Sequence, residues 1–393
     1  MKRKLFLVLI SLVFLFLSTA DILAAAPGVT KDSIKLGAIV DKSGPVVHTL
    51  TQCTYGQLAY IQKAYDDGIY KRKINLVTED GSYNPAKHLA AGKLLLDRDN
   101  VFAFINSVGT SPTLALNNLL EARKVPLVSM VAATKALAVP FKKYIFNQQP
   151  SYFSQARVAV DFIQGKDPNA RIAIVCQDDQ FGHEARDAFL VQSKKHGITP
   201  AGVVTYQRGN RDFSSPVLKL KSLNPDYIIN HGIPPYAAAV MKEAMKIGWK
   251  TKWVITATAN RITLKMAGES VGFADEVYGV KPNYPPGGNS PGAIEFREAI
   301  KKYQPKAVPD YGTILGYGFA KILVEGLKRA EANNDLTRVG LIKALESLKN
   351  FGTGVFPPIT YSSTSHAAPD SCLLVKHQNG AFVPLTGKWQ KAK

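Results

Sequence analysis

The chain is poor in cysteine, with only Cys53, Cys176 and Cys372 among 393 residues. An odd and sparse set excludes a disulfide framework and leaves at least one thiol unpaired in a monomer. All three are read as free buried thiols: Cys176 ends the strand-like run IAIVC, Cys53 sits in a helical pattern, and neither has metal-ligand spacing. Histidine is equally thin, with seven residues scattered from His48 to His377. No G-x-G-x-x-G, Walker, H-E-x-x-H or Cys-x-x-Cys motif occurs, and no catalytic residue, metal or cofactor is assigned. The pair His183-Glu184 at a helix start is read as exposed and dipole-stabilising, not as an acid and base.

Acidic residues are in deficit, 30 against 49 Lys and Arg, a formal charge of +19. The cations stand singly or in pairs, as in Lys142-Lys143, Lys194-Lys195 and Lys301-Lys302, instead of forming a block. They read as solvated faces, and no nucleic-acid partner is expected, although attraction of anionic ligands or an anionic membrane surface stays open. Long apolar runs are also missing, except Leu5 to Leu17, which follows Lys2-Arg3-Lys4 and precedes small residues. This pattern is a secretory signal, assigned to residues 1–26, with cleavage after Ala20 or within Ala24-Ala25-Ala26. No cysteine lies nearby to carry a lipid anchor.

What remains alternates short apolar runs with amphipathic stretches, from IKLGAIV through Tyr55–Tyr65, INLVTE, Pro85–Leu96, VFAFI and Pro112–Arg123 to VPLVSM. The rhythm restarts at Ser151–Ile163 and continues through RIAIVC, Gly182–His196, AGVVTY, Phe213–Ser222, DYIIN and Tyr236–Ile247 to WVITA. Such alternation implies parallel sheets covered on both faces, and the length exceeds what one core usually serves. The fold class is therefore α/β, with two doubly wound units in series. The units VFAFINSVGT…VPLVSM and DYIINHGIPP…WVITA echo each other, each running strand, Gly/Pro turn, helix, strand. Turns at the carboxyl ends of such strands would face each other across one cleft.

Among those turns, Asn106-Ser107-Val108-Gly109-Thr110 is suited to an anion. Ser107 offers a hydroxyl and an N–H, Gly109 permits close backbone approach, and Ser111-Pro112 reads as an N-cap followed by a helix start. The same residues also suit an ordinary strand-to-helix turn.

Taken together, IKLGAIVDKSGPVV, EDGSYNPAKHLAAGKLL, FINSVGTSPTLAL, KVPLVSMVAATKAL, RIAIVCQDDQFGHEARDAF, DYIIN and GYGFAKILVEGLKRA resemble the type I periplasmic solute-binding proteins of branched-chain amino acid ABC transporters. The resemblance spans roughly Ile34 to Leu385. It implies two lobes joined by three hinge crossovers: a signal at 1–26, lobe 1 over 30–149 and 277–357, and lobe 2 over 150–276 and 358–393. It also implies a ligand carboxylate held by Ser107, Val108 and Gly109, with further contacts at Ala132-Ala133-Thr134, an aromatic at Phe181 closing from lobe 2, and Tyr152 at the first crossover. Core packing for Phe181 and Tyr152, and a cap role for Thr134, remain open from the residues alone.

The departures from the family pattern carry information. The family's disulfide positions fall on Tyr83 and Asn106, so that bridge is missing. The acidic residue that receives an amino group falls on Thr258, and the adjoining wall residue is Ile233. A buried ammonium without a carboxylate partner is costly. The expected ligand is thus an amino acid or, in preference, an aromatic or apolar carboxylate without the amine. The resemblance implies a monomeric periplasmic protein, without enzymatic activity, that delivers its small molecule to an ABC permease at the inner membrane. A sensory receptor of the same fold and a secreted α/β enzyme are the rival readings.

Overall fold

The computed structural model describes residues 26–393, so the expected signal peptide lies almost wholly outside the described residues. The first lobe begins with β1 (Ser33–Val40), α1 (Val47–Asp66), β2 (Lys73–Asp80), α2 (Pro85–Asp97), β3 (Ala103–Phe104), α3 (Thr110–Arg123), β4 (Leu127–Val128) and β5 (Ile145–Phe146). Its five strands are all parallel, in the order β2-β1-β3-β4-β5. The chain then builds α4 (Tyr152–Lys166), β6 (Ile172–Gln177), α5 (Gln180–Lys195), β7 (Gly202–Tyr206), α6 (Ser214–Ser222), β8 (Tyr227–His231), α7 (Pro234–Lys246), β9 (Lys252–Thr256), α8 (Arg261–Ala267), α9 (Ser270–Phe273) and β10 (Glu276–Lys281). It returns to lobe 1 for α10 (Pro291–Tyr303), α11 (Tyr311–Ala332) and α12 (Arg338–Glu346), and ends in lobe 2 with β11 (Leu373–Gln378) and β12 (Ala381–Pro384).

The second sheet runs β12-β11-β10-β9-β8-β6-β7, parallel from β7 to β10 and antiparallel at the two terminal strands. Its parallel part repeats the strand order of the first sheet, so the sequence echo reflects one topology used twice. Each sheet has a switch point, between β1 and β3 and between β6 and β8, where α/β sheets open a crevice at the strands' carboxyl ends.

Local chemistry starts the helices where polar residues precede apolar periodicity. Asn84 Oδ1 accepts from the N–H groups of Ala86 and Lys87 at 3.0 and 3.1 Å, and Ser151 Oγ accepts from Ser154 at 3.1 Å. Asp310 forms a reciprocal capping box with Thr313 at the start of α11. The cap expected at Ser111 is displaced: α3 starts at Thr110, with Gly109 in the cap position at φ +85°. The loop after β3 swings back to pair Val108 with Val131, and this tertiary bridge fixes the helix start two residues early.

The heart of lobe 1 is the contact between α1 and α11. A Cβ at Gly316 would lie 1.8 Å from the Cys53 carbonyl oxygen, so the backbones approach as only a glycine allows. The apolar face of α11, including Leu315, Phe319, Ile322 and Leu323, is completely buried. All three cysteines are free and buried.

Two expected boundaries move. The boundary at 277 falls inside β10, which pairs parallel with β9 and belongs to the second sheet, so the crossover begins after Lys281. A strand buried between β9 and β11 has no alternation to reveal it in sequence. The last crossover runs later than 357, because Tyr361 packs on Phe146 and donates to the Asn147 carbonyl at 2.7 Å. Asn147 N–H in turn donates to His366 at 2.9 Å, tying the first and third crossovers together. Among the described residues no helix is long and apolar enough to cross a membrane.

Candidate functional site

Residues following the carboxyl ends of strands from both sheets converge on a cavity of about 50 Å³. Val46 follows β1, Tyr83 follows β2, Val108 and Gly109 follow β3, and Val131 follows β4. From the facing lobe come Phe181 after β6, Ile233 and Pro234 after β8, and Ala257 and Thr258 after β9. Tyr152 opens α4, Thr49 lies in the first turn of α1, and Tyr311 opens α11. The cavity thus lies between the lobes, at the switch points of both sheets.

The sequence-derived residues divide. Val108, Gly109, Tyr152, Phe181, Ile233 and Thr258 line this cavity. Ser107 does not. Its hydroxyl is fully buried behind the turn, 2.8 Å from His88 Nε2 and 2.7 Å from Thr113 Oγ1, so it serves a polar chain inside lobe 1. Ala132 is also core, packed with Ile39, Leu116 and Met130. Ala133 and Thr134 face a separate hinge cavity of about 230 Å³, with Lys135, Ser151 and Arg157. Val108 and Val131, paired in the bridge, both line the cavity, while their chain neighbours Ser107 and Ala132 are buried away from it.

Glu184 departs from its exposed reading. Its carboxylate, three residues along α5 from Phe181, accepts from Thr134 Oγ1 and from the N–H groups of Lys135 and Phe153 at 2.8 and 3.1 Å. It joins α5 of one lobe to the 134–135 turn of the other, and burial raises its pKa against the pull of those hydrogen bonds. Across the cleft, Arg208 donates to the Tyr83 carbonyl at 3.1 Å, covers the Tyr83 ring at 4.7 Å and pairs with Asp179 at 2.8 Å. Asp179 meanwhile caps α5 through Phe181 and Gly182. Two polar clasps therefore hold the lobes together beside the cavity.

Tyr83 and Tyr311 are walls that sequence reasoning did not place in the site, Tyr83 having been read as a missing disulfide position. Tyr83 has φ +52° and is 5% exposed, its ring against Gly109, where a Cβ would come within 2.6 Å of Cε2. Asn106, the other position, instead places Nδ2 3.4 Å from Cys53 Sγ.

Electrostatically, none of the residues lining the cavity carries a carboxylate or a cation. Their polar atoms are hydroxyls, of Thr49, Tyr83, Tyr152, Thr258 and Tyr311. Thr258 Oγ1 donates to the Gly232 carbonyl at 2.6 Å, and Tyr311 lies 3.5 Å from Gln149 Oε1 and 3.4 Å from the Ala257 carbonyl. Behind Phe181, at 4.2 Å, stands the ring of His231, with Nδ1 2.7 Å from Thr256 Oγ1. Complete burial pushes its pKa down to about 3, so it is a neutral wall.

Two lobes of repeated topology, closed over an uncharged crevice, define a hinged small-molecule binding protein. Residues 33–381 match the periplasmic binding protein family, and the chain belongs to that family. It is similar to the Leu/Ile/Val-binding protein homolog 3 of Brucella melitensis, with 23% identity over 364 residues, covering 90% of this chain and 93% of that protein. Among solved structures, the fatty acid ABC transporter substrate-binding protein from Thermomonospora curvata superposes with a TM-score of 0.83 and 25% identity, covering 93% and 94% of the two chains. A branched chain amino acid ABC transporter structure from Thermus thermophilus with bound valine shares the fold, with a TM-score of 0.81, 20% identity and 91% and 96% coverage.

Proposed function

We propose that this protein is the exported solute-binding component of an ABC importer and that its solute is an apolar or aromatic carboxylate lacking an α-amino group. The observation that carries the reading is the composition of the interlobe cavity, whose walls offer hydroxyls and apolar surface but no carboxylate. An α-ammonium buried there would lose its hydration without a charged partner, a penalty of several kcal/mol. The Thr258 hydroxyl already donates to Gly232, so it can accept from a ligand but supplies no charge. A carboxylate, by contrast, can accept from the tyrosine hydroxyls and from Thr49, while Val108, Phe181 and Ile233 cover its hydrocarbon part.

Similarity to a fatty acid substrate-binding protein supports the amine-free class, and the Leu/Ile/Val-binding relatives support the transport role. The protein works without chemistry of its own: solute closes the lobes, and the closed form docks on a membrane permease. Partner and compartment follow from that role.

The test is a thermal-shift screen of refolded, ligand-stripped protein against α-amino acids and against matched carboxylates without the amine. A ligand at 100 times its Kd adds about 2.7 kcal/mol of stability. Stabilisation by the amine-free panel alone is expected. Stabilisation by leucine or valine and by none of the amine-free acids would overturn the ligand class.

A further inference from the structure

Lys281, the last residue of β10, is 2% exposed and reaches inward to the loop that follows β9. Its Nζ donates to the Ala259 carbonyl at 2.6 Å and lies 5.5 Å from the centre of the Tyr311 ring. No carboxylate among the described residues forms an ion pair with it. The nearest acidic group, Asp310, is committed elsewhere: Oδ1 caps α11 through Gly312 and Thr313, and Oδ2 lies 3.0 Å from His48 Nε2. The β11 residue opposite Lys281 is Leu373, with Cys372 beside it, and from α11 only Asp310 and Tyr311 are titratable near it. A buried ammonium with one neutral acceptor is a costly arrangement that structural pinning of a loop does not require.

Both groups Lys281 touches belong to the cavity's surroundings. Tyr311 lines it directly, and Ala259 closes the short loop whose Ala257 and Thr258 line it. We infer that Lys281 is a specificity-determining positioning residue, whose buried ammonium acts through the Tyr311 ring and the 257–259 loop to make the interlobe cavity prefer an anion over a neutral ligand. The inference rests on the proposed site and names the charge that this site selects. An anion touching the far face of that ring lies roughly 10 Å from Nζ, where an effective dielectric near 20 makes one charge pair worth roughly tenfold in affinity. Desolvation pushes the Lys281 pKa down to about 7, against the opposing pull of Asp310. An arriving anion therefore draws a proton onto it.

The experiment titrates wild-type protein and Lys281→Met with two isosteric pairs, phenylacetate against phenylacetamide and 4-methylvalerate against 4-methylvaleramide. Wild type is expected to favour the acid. Lys281→Met is expected to lose roughly tenfold of the acid-to-amide ratio while amide affinity stays within twofold. Calorimetry of wild type at pH 8, in buffers of different ionisation enthalpy, is expected to show proton uptake with the acid and none with the amide. If neither acid nor amide binds wild type, the proposed site itself fails. If the acids bind but the ratio and the uptake survive in Lys281→Met, the role of Lys281 is overturned and the site stands. Should Lys281→Met not fold, wild-type calorimetry decides alone: acid binding at pH 8 without proton uptake overturns the inference.

Discussion

Replacing Gly109 with alanine tests the geometry of the cavity wall without any ligand. Gly109 sits at φ +85° and ψ 143°, a region that side-chain-bearing residues rarely occupy, and the strain of holding alanine there is about 1 to 3 kcal/mol. An added Cβ would also lie 2.6 Å from Tyr83 Cε2 and 3.0 Å from Cδ2. The ring cannot retreat freely, because the Arg208 guanidinium covers it at 4.7 Å and the ring is almost wholly buried. Overpacking of this kind costs a further 1 to 3 kcal/mol, roughly. The expected total is about 2 to 6 kcal/mol, which for a chain of this length is a fall in Tm of roughly 3 to 8 °C. A double-mutant cycle with Tyr83→Ala separates the two parts, since removing the ring relieves the overlap but leaves the backbone strain. Calorimetric or urea unfolding of the four proteins is the assay. A Gly109→Ala protein within about 1 kcal/mol of the parent on both backgrounds would refute the strained turn and the ring contact together.

Ser107→Ala is expected to cost about 1 to 3 kcal/mol in urea unfolding, because His88 Nε2 and Thr113 Oγ1 both lose a buried partner. Its ligand affinity should change less than twofold, and a tenfold loss would return the hydroxyl to the cavity. His88 and His231 carry pKa values pushed by burial from 6.5 down to about 4 and about 3. Because the folded values are depressed, the unfolded chain takes up the protons first; this stability is present above pH 6.5 and drains as pH falls through the folded values. Between pH 7.5 and 4.5 each histidine accounts for about 2 to 3 kcal/mol of lost stability. Unfolding of His231→Phe at both pH values should show a drop smaller by about that amount, and an unchanged drop would contradict a neutral buried imidazole.

Much of the fold was legible because its signals are local. Strand and helix alternation, Asn84-Pro85 and the apolar stripe of α11 each depend on a few neighbouring residues, and the structure keeps them with ends moved by a few positions. The absence of an acidic residue at Thr258 was equally local, since it needed only the identity of one position in a recognised pattern. The direction of the Ser107 hydroxyl was not legible, because whether a turn's hydroxyl faces the cleft or the core depends on what lies behind it, here His88 on α2 and Thr113 on α3.

The sequence by itself determined the class of fold and the two-lobed plan, since periodicity and capping act over a few positions. Only the tertiary structure decided which side chains face the ligand space. Tyr83 and Tyr311 reach the cavity from segments 228 positions apart. Glu184 became a clasp because the first-lobe turn met it, and Lys281 became a buried charge because β10 joined the second sheet. Burial and electrostatics are sums over everything that surrounds a group, and those surroundings exist only once the distant segments have packed.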